Sequence, residues 1–127
     1  MTTDPSGPAM ELFAEFRFEA AHQLPNVPPT HMCARMHGHS YTVRLTMVGR
    51  VDPRAGWVTD YARIVEAFEP LRVQFDHHCL NDIAGLENPT SEHLAMWIWE
   101  HLADSLALSK VVVRETPSAG CVYRGDR

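Results

Sequence analysis

The sequence predicts an α+β domain of order ββααββ, in which an antiparallel four-stranded sheet carries two helices on one face. Three patterns lead there. Two segments in the first fifty residues alternate apolar and polar positions, two segments in the middle repeat apolar residues at helical spacing, and two short runs near the end flank a Pro-Ser-Ala-Gly turn.

From Glu11 to Ala20 the even positions Leu12, Ala14, Phe16, Phe18 and Ala20 are apolar, while Glu15, Arg17 and Glu19 occupy odd positions, which is the period of a half-buried strand. Prolines at 25, 28 and 29 break regular structure and predict a loop to about Met36. A second strand follows, with Tyr41, Val43, Leu45 and Met47 apolar at odd positions; it should pair antiparallel with the first. Gly49 and Val51-Asp52-Pro53 then turn the chain. Asp60 is placed to cap a helix whose apolar face is Ile64, Phe68 and Leu71, and Pro70 predicts a kink or split in it, because proline lacks the amide proton and clashes with the preceding turn. A loop holding Asp76-His77-His78-Cys79 leads to a second helix, capped within Asn88-Pro89-Thr90-Ser91-Glu92 and apolar along Leu94, Trp97, Ile98, Leu102 and Leu106. Lys110 to Glu115 and Cys121 to Arg124 are the closing strands.

A chain of 127 residues is the size of one domain, expected over 11–127, with residues 1–10 as a flexible tail that has neither the basic nor the apolar region of a secretion signal. The 11 Lys+Arg against 16 Asp+Glu, a formal net charge of -5, argue against a phosphate-backbone binding face, so no direct contact with nucleic acid is expected. The longest unbroken apolar run, Leu94 to Trp99, is far short of the roughly 20 residues of a membrane span. Cys33, Cys79 and Cys121 are odd in number and lack a repeating spacing, which argues against a disulfide framework and for a reducing, cytoplasmic compartment.

Eight histidines are the anomaly, and strand parity organises three of them. Extending the even apolar face of the first strand reaches His22, and extending the odd face of the second backwards reaches His39 and His37. Three imidazoles thus point to one buried side, and three neutral nitrogens with a free fourth position form the ligand set of an open catalytic zinc site. His-Gly-His alone would be a common chance pair; the convergence with His22 gives it weight. A closed Cys/His structural zinc site using Cys33 is the competing arrangement, but it lacks a substrate position and leaves Asp76-His77 unused.

Other groups are candidates by proximity. Cys33 stands four residues before His37, where a cation nearby would favour the thiolate able to act as base or nucleophile; alone, it reads as an inert thiol. In Asp76-His77 a carboxylate can orient an imidazole and raise its basicity, although such a loop pair alone usually caps or is solvated. Glu115 shares the parity of Val111 and Val113, so its carboxylate faces inward. There it can accept two planar N–H donors of a guanidine-like heterocycle edge, or make a structural contact with Arg114, Arg124 or a backbone amide.

These segments resemble a family. Phe-Glu-Ala-Ala-His (18–22), Cys-x-x-x-His-Gly-His (33–39), Asp-His-His-x-Leu-Asn (76–81), Pro-Thr-Ser-Glu (89–92) and Glu-Thr (115–116) are similar to the 6-pyruvoyltetrahydropterin synthase superfamily across nearly the whole chain. The short gap between Cys33 and His37, Gly-Trp-Val-x-Asp-Tyr (56–61) and the ending Gly-Cys-Val-Tyr-Arg-Gly (120–125) most resemble its bacterial 6-carboxytetrahydropterin synthases of queuosine biosynthesis. The resemblance implies the tunnelling fold, whose subunits assemble into an oligomeric barrel, typically a homohexamer with active sites at subunit interfaces. It implies conversion of 7,8-dihydroneopterin triphosphate and water to 6-carboxy-5,6,7,8-tetrahydropterin, acetaldehyde and triphosphate. Carried over by residue, His22, His37 and His39 would bind zinc, Cys33 would accept a proton at the substrate side chain, Asp76 and His77 would form the opposite acid/base relay, and Glu115 would anchor the pterin. Gln23, where relatives often have arginine, and Cys79, where they have a bulkier residue, depart from the pattern. Formation of 6-pyruvoyltetrahydropterin and a non-catalytic zinc-binding module are the alternatives.

Overall fold

The computed structural model describes residues 7–126. The elements run β1 (Ala9–His22), β2 (His37–Arg50), α1 (Tyr61–Phe75), β3 (His78–Cys79), α2 (Ser91–Leu102), β4 (Leu108–Thr116) and β5 (Ala119–Tyr123), with single 3-10 turns at Met32–Ala34 and Leu80–Asp82. Of the expected tail, residues 1–6 lie outside the described residues. Ala9 and Met10 already belong to β1, where they pair with Arg50 and Gly49.

The sheet has five strands, in the order β3-β1-β2-β4-β5, rather than the four expected. The extra member is β3, which pairs parallel to β1 through Ala20↔His78 and Ala21↔Cys79, so the sheet is not wholly antiparallel. Two residues have no alternation to read, which is why this strand looks like loop in the sequence. The other pairings are antiparallel, with a register shift between Thr46 and Met47 that bends β2 against β4.

One face of the sheet is apolar and both helices lie on it. Even residues of β1 and odd residues of β2 and β4 bury Phe18, Tyr41, Val43, Leu45, Val111 and Val113 against Ile64, Phe68 and Phe75 of α1 and Leu94, Trp97 and Ile98 of α2. Aromatic rings join the layers: Phe16 stacks on Phe68 at 4.4 Å between centroids, and Phe75 meets Trp97 at 5.4 Å. Burying each large side chain in this layer contributes about 1.5–3 kcal/mol. The caps fall where the sequence places them, with the Asp60 carboxylate accepting from the Ala62 amide at 2.9 Å and the Thr90 hydroxyl from the His93 amide at 3.1 Å.

Of the kink or split expected at Pro70, the split does not occur; the helix is continuous from Tyr61 to Phe75. Ile64, Phe68, Leu71 and Phe75 are all buried on one side, and this packing on both sides of the proline outweighs one missing amide bond. Pro70 itself is exposed, so the carbonyl it leaves without a helical donor can be met by water.

Candidate functional site

The helices cover the middle of the apolar face and leave one end to histidine. His22, the last residue of β1, is paired across the sheet with His37, the first of β2, and Ala20 is paired with His39. This register brings one ligand atom from each of His22, His37 and His39 to within 4.8 Å of one another, as the parity of the two strands predicts. Cys33 is not among the converging groups, so the closed Cys/His arrangement is not formed.

The outer ring nitrogens define the tautomers. His22 is 1% exposed, and its Nδ1–H donates to the Pro89 carbonyl at 2.8 Å. His37 Nδ1–H donates to the Arg35 carbonyl at 2.7 Å. A carbonyl can only accept, so each Nδ1 carries a proton and, in the neutral ring, each Nε2 presents a bare lone pair. Those two Nε2 atoms face each other at 2.9 Å, an approach that a shared proton or a metal ion makes favourable and that two bare lone pairs would make repulsive. His39 Nε2 is buried and has no hydrogen-bond partner among the described residues. Two imidazole nitrogens oriented by carbonyls and a third that is buried without a partner are the donor set of a metal ion with nitrogen preference, and the residues fit one. Burial lowers the pKa of His22, partly offset by its bond to Pro89, and keeps the ring in the neutral form that ligates.

Glu115 faces this centre from β4, with Oε2 at 3.8 Å from His39 Nε2. Its inward parity is as expected, and its nearest charged-group contact is the histidine cluster rather than Arg114 or Arg124. Asp76 and His77 form a second group where α1 ends. Asp76 Oδ1 lies 3.1 Å from His77 Nδ1 and accepts from the Glu19 amide at 3.0 Å, while the Glu19 carbonyl accepts from the His77 amide. The Glu19 amide first, and His77 second, hold the Asp76 carboxyl below the usual carboxylate range. His77 has φ +59°, the left-handed region that few residues other than glycine enter, and its ring is 78% exposed. An open groove of about 510 Å³ lies beside the pair, lined by Glu19, Ser40, His39, His77 and Cys79.

Cys33 sits half-buried on the Met32–Ala34 turn. Its carbonyl accepts from the Leu24 amide at 2.8 Å, tying the turn to the chain just beyond His22. The site also contains groups the sequence reading did not assign. The Pro89 and Arg35 carbonyls orient two imidazoles, and backbone acceptors leave no residue-type signal. Asn81 is different: its side chain accepts from the Gln23 amide at 2.9 Å and donates to the Gln23 carbonyl at 2.8 Å, fastening the residue after His22. It stands in Asp-His-His-x-Leu-Asn, so the signal was present without a role. Cys79 is half-buried, its thiol 3.8 Å from Met36 Sδ.

Known proteins share this sequence pattern and fold. The family model for 6-pyruvoyl tetrahydropterin synthase matches residues 11–126. A Synechocystis protein named 6-carboxy-5,6,7,8-tetrahydropterin synthase is 37% identical over 123 residues, covering 91% of this chain and 94% of its own. A Bacillus subtilis protein of the same name is 30% identical over 129 residues, covering 91% and 86%. The solved structure of Caenorhabditis elegans 6-pyruvoyl tetrahydropterin synthase superposes with a TM-score of 0.86 at 27% identity, covering 94% of this chain and 97% of that one. The architecture is therefore the tunnelling fold, and the chain belongs to the 6-pyruvoyl tetrahydropterin synthase family.

Proposed function

We propose that the chain is a zinc-dependent lyase that converts 7,8-dihydroneopterin triphosphate and water to 6-carboxy-5,6,7,8-tetrahydropterin, acetaldehyde and triphosphate, a step of queuosine biosynthesis. The observation that carries this reading is the convergence of three imidazole nitrogens beside an inward carboxylate, in a chain 37% identical to a protein with that name.

His22, His37 and His39 hold the metal. Bound there, zinc supplies Lewis-acid polarisation of the substrate's side-chain hydroxyls. Glu115 accepts the planar N–H pair of the pterin, from a position facing the cluster. Cys33 is the base that takes a proton from the substrate's side chain, and Asp76-His77 is the opposite acid/base pair, the carboxylate holding the imidazole. The high exposure of His77 in one chain supports a site completed at a contact between subunits. Such a contact suits a sheet whose edge strands β3 and β5 need cover, and a homohexamer in the cytoplasm is proposed. The net charge of -5 supports a small-molecule partner over nucleic acid, and no described helix is long and apolar enough to cross a membrane.

Mass identification of the pterin formed from 7,8-dihydroneopterin triphosphate tests the proposal. The expected product is 6-carboxytetrahydropterin. Recovery of 6-pyruvoyltetrahydropterin would assign the other reaction of the family, and unchanged substrate with the metal bound would favour the non-catalytic module.

A further inference from the structure

The cluster has one polar contact that neither metal binding nor proton transfer uses. Tyr41 is fully buried at the first odd position of β2 after His39, and its hydroxyl oxygen lies 3.1 Å from His22 Nδ1. Its ring stands edge-on to both His22 and His39, with centroids 5.9 and 5.5 Å away, and stacks on Phe18 at 5.2 Å. The phenol therefore sits where the apolar core ends and the imidazoles begin.

The Pro89 carbonyl at 2.8 Å requires Nδ1 of His22 to be the donor. Were Tyr41 to donate to a bare Nδ1 instead, that nitrogen's lone pair would face the carbonyl's. The hydroxyl oxygen is thus a second acceptor on one N–H, sharing it with the carbonyl. Two acceptors on one N–H fix ring rotation and tautomer more tightly than one, and they draw the proton outward, which raises electron density at Nε2.

We propose that Tyr41 is a positioning residue for the metal centre: its hydroxyl, with the Pro89 carbonyl, locks His22 in the Nδ1–H tautomer and strengthens Nε2 as a ligand. This rests on the three-histidine reading of the site. It goes beyond that reading by making metal affinity depend on a side chain that touches neither metal nor substrate.

Tyr41→Phe tests it, since the ring and its packing are retained and one oxygen is removed. Cobalt(II) and zinc affinities are measured by chelator competition on full-length wild type and variant, with the visible spectrum of the cobalt form as a second readout. Expected are a metal affinity lower by about tenfold or more and a shifted cobalt spectrum, with circular dichroism unchanged. Equal affinities within twofold and superimposable spectra would overturn the role of Tyr41 while leaving the histidine site intact. No metal uptake by the wild type would overturn the site itself. Nitrogen-15 NMR of histidine-labelled wild type is independent of how the variant folds: a protonated Nδ1 on His22 is expected, and a bare Nδ1 would refute the shared N–H.

Discussion

Replacing His39 by alanine removes an imidazole whose Nε2 is buried without a partner and leaves two of the three converging nitrogens. A ligand that binds only the folded chain stabilises it by about 2.7 kcal/mol when free at a hundred times its Kd. An unfolding entropy of about 2.1 cal/mol/K per residue gives about 0.27 kcal/mol/K over 127 residues. Dividing one by the other, the wild-type Tm should rise by about 10 °C between chelator and zinc buffered at that excess. His39→Ala should lose most of this rise, to under about 3 °C, because a site short of one ligand holds the ion far less tightly. Without metal, the two proteins should lie within about 1 kcal/mol of each other, since lost packing of a partly exposed ring is set against removal of an unsatisfied polar atom. Differential scanning calorimetry at fixed protein concentration reads all three values. Equal zinc-dependent rises in wild type and variant would refute His39 as a ligand, and no rise in the wild type would refute the centre.

The metal-free protein should become less stable on acidification. Burial lowers the pKa of His22, so between that lowered value and the unfolded value of about 6.5 the unfolded chain binds more protons, and stability falls as pH falls through this window. Urea midpoints in chelator across this range check it, and stability that rises on acidification would contradict it. Glu115→Gln should weaken pterin binding by a few kcal/mol at most and leave zinc content unchanged, as read by isothermal titration and metal analysis; equal affinity would make Glu115 structural. Cys33→Ala should retain fold, zinc and substrate affinity and lose turnover by about a hundred- to ten-thousand-fold; loss of zinc would make the thiolate a ligand. Pro70→Ala should raise stability by about 1–3 kcal/mol, because α1 already runs through this position and regains an amide bond; a lower urea midpoint would show that the proline is favourable there.

The sequence made some parts of this molecule legible and hid others for identifiable reasons. Period-two alternation in β1 and β2 is long enough to set parity, and parity alone brings His22, His37 and His39 to one side. Parity likewise turns Glu115 inward. β3 is two residues long, below any detectable period, and its pairing with β1 is a tertiary event. Pro70 misleads because its local cost is visible in the sequence, whereas the four buried residues that outweigh it act only after folding. The Pro89 and Arg35 carbonyls were invisible for a simpler reason, since every residue has one. Tyr41 carries a side-chain signal, yet at an odd position of β2 it reads as core, and it is core as well.

The proposed reaction couples a metal count to a carbon fragment, and one titration measures both. Metal-free protein receives zinc in increments with 7,8-dihydroneopterin triphosphate present, and acetaldehyde and triphosphate are quantified at each step. Equimolar release of the two, rising to a plateau at one zinc per chain, is the predicted result. Turnover that is indifferent to zinc, or triphosphate released without acetaldehyde, would contradict it.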